Sequence, residues 1–119
     1  MPHGIVPALA FRVTIGDTSL VFSSDQNLGN PAYAAFASGA SVLVLHMPLP
    51  EGATSGTQLH ATPGKLGEFA SSADANTVLL SHFMARSLRD FDDNVALVRD
   101  AYAGELIVAE DLLCHAVTN

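Results

Sequence analysis

Residues 20–27 read LVFSSDQN, an apolar stretch that changes abruptly to polar residues. The apolar part has the composition of a buried β-strand, and Asp25 follows shortly after its last apolar residue. Open α/β sheets bind their ligands at the carboxyl ends of their strands. A carboxylate that is buried there needs a cation or hydrogen-bond donors to offset the cost of its desolvation. The stretch therefore predicts a strand that ends at a ligand site.

A second stretch repeats this pattern. Residues 77–83 read TVLLSHF, an apolar run that ends at His82. Taken singly, Asp25 is explained more simply as a capping residue and His82 as a hydrogen-bonded core histidine. Taken together, an Asp and a His at two strand ends favour a metal site or an acid/base site.

The composition describes a single acidic domain, which we place at residues 1–119. No apolar run approaches the roughly 20 residues that span a bilayer, and the first residues, MPHG, lack the features of a signal peptide. Cys114 is the single cysteine, which excludes an internal disulfide and fits the cytoplasm. A net charge of -7 with only five Lys and Arg residues disfavours binding of nucleic acid through its phosphates.

Hydrophobic periodicity predicts two strands joined by a turn at Gly16 and Asp17, then three helix–strand units and a short final strand. Asn30 and Thr62 are predicted helix N-caps, because each precedes a proline that suits the first helical position. The predicted strands are 9–15, 19–24, 41–47, 77–83, 105–110 and 112–117, and the helices cover 30–38, 62–73 and 90–102.

Three of these strands, in 41–47, 77–83 and 105–110, are apolar on both faces. Three helices cover one face of such a sheet, and the other face then exposes more than the few hundred Å² of contiguous apolar surface that monomers tolerate. Either helices cover both faces, as in a doubly wound fold, or another polypeptide supplies the second layer. We expect an α/β fold with a mixed sheet of five to seven strands and helices on one face.

Several motifs occur in a fixed order along nearly the whole chain. They are HG at 3–4, AFRV at 10–13, VFSSD at 21–25, ASGASVLV at 37–44, HATPGKLG at 60–67, LLSHF at 79–83 and GELIVAED at 104–111. Together they resemble motifs of the metallo-β-lactamase superfamily, in its branch of ribonuclease Z and phosphodiesterase-like hydrolases. The resemblance implies that the chain forms half of a four-layer αβ/βα sandwich, the C-terminal half.

The resemblance also implies roles for individual residues. His3, Asp25 and His82 match metal ligands, Asp25 being the carboxylate that bridges two metals. His60 matches a histidine that contacts the scissile phosphate and can donate a proton, so Asp25 and His60 are the implied catalytic residues. The implied cofactor is zinc, which imidazole and carboxylate ligands suit.

The chain departs from the family in one large respect. The hallmark HxHxDH motif, which supplies most of the metal ligands, is absent, and no HxH occurs in the sequence. We therefore expect the C-terminal half of a binuclear metallo-hydrolase that is inactive alone. Its partner would be a complementary N-terminal half bearing HxHxDH, or further copies of the chain in a homo-oligomer, and its substrate a small anionic molecule or a phosphodiester. The alternative is a non-catalytic interaction or oligomerisation module that retains relic metal ligands.

Three further residues leave their roles open. His46 ends a buried strand where many relatives carry His-Glu, and we interpret it as a core or rim histidine rather than as a group that supports the site. Arg86 and Arg89 follow the strand end at His82. They suit either contact with an anionic substrate or a purely structural role.

Overall fold

A five-stranded mixed sheet forms the centre of the molecule. The computed structural model describes residues 3–117. The strands are β1 (Phe11–Ile15), β2 (Thr18–Phe22), β3 (Val42–His46), β4 (Thr77–Ser81) and β5 (Glu105–Val108), and the helices are α1 (Tyr33–Ala37), α2 (Pro63–Ser72), α3 (Ala85–Leu88) and α4 (Phe91–Ala101). The strands are ordered β1-β2-β3-β4-β5, with β1 antiparallel to β2 and the other pairs parallel. No helix within residues 3–117 is long and apolar enough to cross a membrane.

The predicted hairpin is confirmed. Ile15 pairs with Thr18, so that Gly16 and Asp17 form a two-residue turn between β1 and β2. Gly16 has a φ of 60°, the left-handed conformation that the tight turns of hairpins require. The turn therefore sets the register of the edge strand.

The two predicted N-caps have different outcomes. Thr62 is extended and directly precedes Pro63, the first residue of α2, as predicted. Asn30 does not cap α1, which begins at Tyr33 with Ala32 before it. The Asn30 side-chain oxygen instead accepts a hydrogen bond of 3.0 Å from the backbone N–H of Ala32. This local turn delays the start of the helix.

One predicted element is absent from the structure, and one observed element was not predicted. The final strand at 112–117 does not form, because Leu112 has a φ of 66° and its side chain is fully exposed, with no neighbouring strand beside it in the described chain. The short helix α3 was not predicted. Its start is fixed by the Ser87 hydroxyl, which accepts a hydrogen bond of 3.1 Å from the backbone N–H of Met84.

One hydrophobic core joins the sheet to helices α1, α2 and α4. Alternate residues of the central strands enter it, among them Leu43, Leu45, Val78 and Leu80, all fully buried. The predicted packing of helices against a mixed sheet is therefore confirmed.

The opposite face of the sheet has no layer over it within residues 3–117, and we call it the open face. It carries the apolar side chains that alternate with the core residues: Phe11, Val13, Ile15, Leu20, Phe22, Val42, Val44, Leu79 and Ile107. Phe11, Val13 and Phe22 are 59%, 45% and 41% exposed. The prediction that β1 has only one wet face is wrong, because all five of its residues are exposed at the sheet edge.

Helices α2 and α4 approach each other closely at Gly67. A Cβ at this position would lie 2.8 Å from the Val98 carbonyl oxygen and 2.9 Å from the Ala101 Cβ. We expect Gly67→Ala to lower the free energy of unfolding by about 1–3 kcal/mol, the usual cost of overpacking, although alanine is intrinsically the better helix former by about 1 kcal/mol. Urea unfolding measures the change.

The matched control for this variant is Ser71→Ala, an exposed position on the same helix. It should alter stability by no more than about 0.5 kcal/mol. A Gly67→Ala protein as stable as the parent would contradict the close approach of the two helices.

Candidate metal centre

Five polar side chains gather where the parallel strands end. Asp25 lies in the loop after β2, His46 is the last residue of β3, and His82 directly follows β4. His60 lies in the loop before α2, and His3 lies in the segment before β1. The carboxyl ends of parallel strands meet at one edge of a sheet, so the order of the strands brings these residues together.

Asp25 is at the centre of the group. Its Oδ1 lies 2.7 Å from His46 Nδ1, 3.6 Å from His82 Nε2 and 3.9 Å from His60 Nδ1. Its Oδ2 lies 3.9 Å from His3 Nε2. Four of the five histidines in the chain thus surround one carboxylate.

The backbone is turned sharply at both strand ends. Ser24, which precedes Asp25, has a φ of 57°, and His82 has a φ of 58°. Left-handed backbone at residues other than glycine costs on the order of 1–3 kcal/mol and clusters at functional sites. The neighbouring backbone is held in place, since Ser23 N–H donates to the Val44 carbonyl at 3.0 Å and Met47 N–H to the Ser81 carbonyl at 2.8 Å.

The segment that carries His3 is hydrogen-bonded to the loop that carries His60. The Gln58 carbonyl accepts hydrogen bonds from the backbone N–H of Gly4, at 3.2 Å, and from the Asn27 side-chain amide, at 2.8 Å. The rings of His3 and His60 meet edge to face, with their centroids 5.1 Å apart. One carbonyl therefore joins three of the loops that form the site.

Charge and burial act on the pKa values in opposite directions. Burial alone would raise the pKa of Asp25, but the His46 hydrogen bond and the nearby imidazoles outweigh it, so the pKa lies below its usual value. Burial lowers the pKa of His60, and Asp25 opposes this effect only in part. Asp25 is thus held as a carboxylate, and His60 is biased towards its neutral form.

The donor atoms suit a divalent metal. One ligand atom from each of Asp25, His46 and His82 lies within 4.8 Å of the other two. Imidazole and carboxylate are the ligand types that bind zinc, at about 2.0–2.2 Å. His60 Nδ1 is buried and has no hydrogen-bond partner among residues 3–117. A buried ring nitrogen without a partner is a further sign that the group is built to receive a ligand.

The structure brings the four candidates His3, Asp25, His60 and His82 to one place, whereas His46 was not among them. It makes the shortest contact with Asp25 of the four histidines, which its interpretation as a core or rim residue did not anticipate. The missed signal is its position, since it ends a strand just as His82 follows one. Arg86 contacts a loop rather than the histidine group, because its guanidinium donates a hydrogen bond of 3.0 Å to the Ser55 carbonyl.

Comparison with known proteins gives two kinds of similarity, and no family model matches the chain. The chain is 33% identical over 96 residues to the ribonuclease Z of Nocardia farcinica, which covers 79% of this chain and 31% of that protein. It is 35% identical over 88 residues to the ribonuclease Z of Pseudomonas putida. This match covers 66% of this chain and 28% of that protein. The chain thus spans less than a third of the length of either relative.

Solved structures share the backbone arrangement over almost the whole chain. The metallo-β-lactamase fold protein YhfI from Bacillus subtilis superposes with a TM-score of 0.80 at 20% identity, covering 91% of this chain and 44% of that one. The short form of human tRNase Z superposes with a TM-score of 0.73 at 18% identity. The superposition covers 96% of this chain and 40% of that one. At these identities the superpositions concern the fold alone.

Proposed function

Because this chain has part of the metallo-β-lactamase fold, we propose that it is the C-terminal half of a metal-dependent hydrolase of the ribonuclease Z and phosphodiesterase type. The observation that carries the proposal is the convergence of four histidines on Asp25 at the strand ends. The similarity to two ribonuclease Z sequences supports the choice of branch.

Each residue has a distinct role in this proposal. His3, Asp25 and His82 hold metal, with Asp25 presenting one oxygen towards His82 and the other towards His3. Zinc, when bound, supplies Lewis-acid activation of water near neutral pH. His60 donates a proton to the leaving oxygen of a phosphodiester, whose negative charge favours the protonated imidazole. The exposed, unpaired Cys114 supports the cytoplasm as the compartment.

The proposed enzyme is incomplete in this chain. His3, Asp25 and His82 cannot fill two metal sites, and the sequence contains no HxHxDH. A complementary half that bears this motif would supply the missing ligands, and a partner of this kind, or a second copy of the chain, would cover the open face. We therefore propose that the chain alone has little or no hydrolytic activity.

The test is a reconstitution. The zinc-loaded chain is assayed on bis(p-nitrophenyl) phosphate, first alone and then with the N-terminal half of a complete relative that bears HxHxDH. We expect turnover only in the mixture. Turnover by the chain alone would contradict the proposal, and so would an inactive mixture in which the two halves demonstrably bind each other and zinc.

The open face favours a second function, that of a non-catalytic oligomerisation module. Its exposed aromatic side chains, Phe11 and Phe22, would be buried in an assembly that covers this face. Association that is as strong in the presence of a chelator as with zinc, without hydrolysis in any mixture, would favour this second function.

A further inference from the structure

We infer that His46 is itself a metal ligand, so that Asp25, His46 and His82 hold one divalent ion within this chain. The inference rests on the proposed metal site at Asp25 and extends it. The ligands that the resemblance implies are His3, Asp25 and His82, and they do not include His46. With His46 included, the chain itself supplies three protein ligands, and the site needs no ligand residue from a partner.

The distances around Asp25 Oδ1 carry the first part of the argument. Two ligands of a tetrahedral zinc ion, each bonded at about 2.0–2.1 Å, lie roughly 3.3 Å apart. The contacts of Asp25 Oδ1 with His46 Nδ1, at 2.7 Å, and with His82 Nε2, at 3.6 Å, lie on either side of that separation. A shift of well under 1 Å would bring either atom to it.

The backbone explains how two neighbouring strands deliver imidazoles to one point. His46 pairs with Ser81 in the parallel register of β3 and β4, so these two residues lie on the same face of the sheet. In a regular strand, His82 would lie on the opposite face from Ser81. The left-handed φ of 58° at His82 breaks this alternation, and the rings of His46 and His82 lie with their centroids 4.8 Å apart.

The other two histidines are placed differently. His3 approaches the second carboxylate oxygen, Oδ2, at 3.9 Å, and it packs against His60 rather than against His46. His60 Nδ1 is 3.9 Å from Oδ1, farther than either His46 or His82. Among the described residues, the ligand atoms of Asp25, His46 and His82 form the set that lies within 4.8 Å of one another, and His60 is not part of it. Three protein ligands with a fourth, open position are the arrangement typical of catalytic zinc.

The competing explanation is that His46 only orients Asp25 through a hydrogen bond. His46→Gln separates the two roles, because a glutamine amide can donate a hydrogen bond to the carboxylate but is a poor zinc ligand. His46 is 27% exposed, so the substitution does not disturb a packed core. His82→Gln is the positive control. His115→Gln is the negative control, because His115 lies beyond β5 in a segment without helix or strand and is not among the histidines found within 4 Å of Asp25.

The experiment is a zinc titration of the full metal-free chain by calorimetry, with circular dichroism to check folding. We expect one zinc ion per chain, an affinity at least about tenfold weaker for His46→Gln and for His82→Gln, and no change for His115→Gln. Unchanged affinity in His46→Gln, or no zinc binding by the parent chain, would overturn the inference.

X-ray absorption on the zinc-loaded parent chain provides a measurement that needs no variant. Two imidazole nitrogens and one carboxylate are expected around zinc, and one or three imidazoles would overturn the inference. Both experiments measure zinc binding rather than hydrolysis, so their results distinguish the role of His46 from the proposed hydrolytic function. Zinc bound without any dependence on His46 defeats only this inference, whereas zinc bound through His46 in a reconstituted protein that hydrolyses nothing defeats only the proposed function.

Discussion

Asp25→Ala is expected to abolish zinc binding by the chain and the hydrolysis of bis(p-nitrophenyl) phosphate in the reconstituted protein. The reason is that this carboxylate lies within 4 Å of all four histidines of the site. Without it, the imidazoles are left near one another with no negative charge to offset the cation. A metal contributes several kcal/mol to such a reaction, so we expect a loss of about 10³-fold or more in turnover.

Asp100→Ala is the matched control for this variant, since Asp100 is an exposed aspartate of helix α4. It should leave zinc affinity and turnover unchanged. Calorimetry and a steady-state assay on the same preparations measure the two effects. Turnover that survives Asp25→Ala would mean that the hydrolytic site lies elsewhere.

Phe22→Lys is expected to prevent association through the open face. Phe22 pairs with Phe11 of β1 and with Val44 of β3, so it lies in the middle of the apolar row. Stable interfaces bury about 1,200–2,000 Å², and the loss of a central aromatic anchor costs about 2–4 kcal/mol. We expect the parent chain to self-associate at high micromolar concentration and the variant to do so at least about 30-fold more weakly.

Light scattering over a range of concentrations measures this change. Leu97→Lys is the control, because Leu97 is a partly exposed apolar residue of α4, away from the sheet. It should associate like the parent. A parent chain that stays monomeric at high micromolar concentration would show that the open face needs a different partner.

The parts of the site that could be predicted are those with a local signal. Asp25 and His82 each stand where an apolar run turns polar, and parallel pairing then brings the two strand ends together. His46 has the same position at a strand end, but its strand is apolar on both faces, which favoured the interpretation of a core or rim histidine. Its contact with Asp25 depends on the parallel pairing of β2 with β3 and on the turned backbone at Ser24.

Predictions failed where pairing between distant segments decides the outcome. Residues 112–117 have the composition of a strand, but a strand needs a neighbour, and the described chain offers them none. The alternation in β1 suggested one buried face. Its place at the sheet edge leaves all five of its residues exposed. Neither sheet order nor edge position is encoded locally.

The carbonyl of Gln58 has a consequence for local unfolding. Because it accepts hydrogen bonds from both Gly4 and Asn27, a fluctuation that opens its loop releases the segment of His3 and the loop of Asp25 in one event. Segments coupled in this way open as a cooperative unit with a shared free energy. The amide of Gly4 should therefore exchange with solvent deuterium at a rate set by the opening of the whole unit. Ligand binding at Asp25 would slow that exchange at a distance.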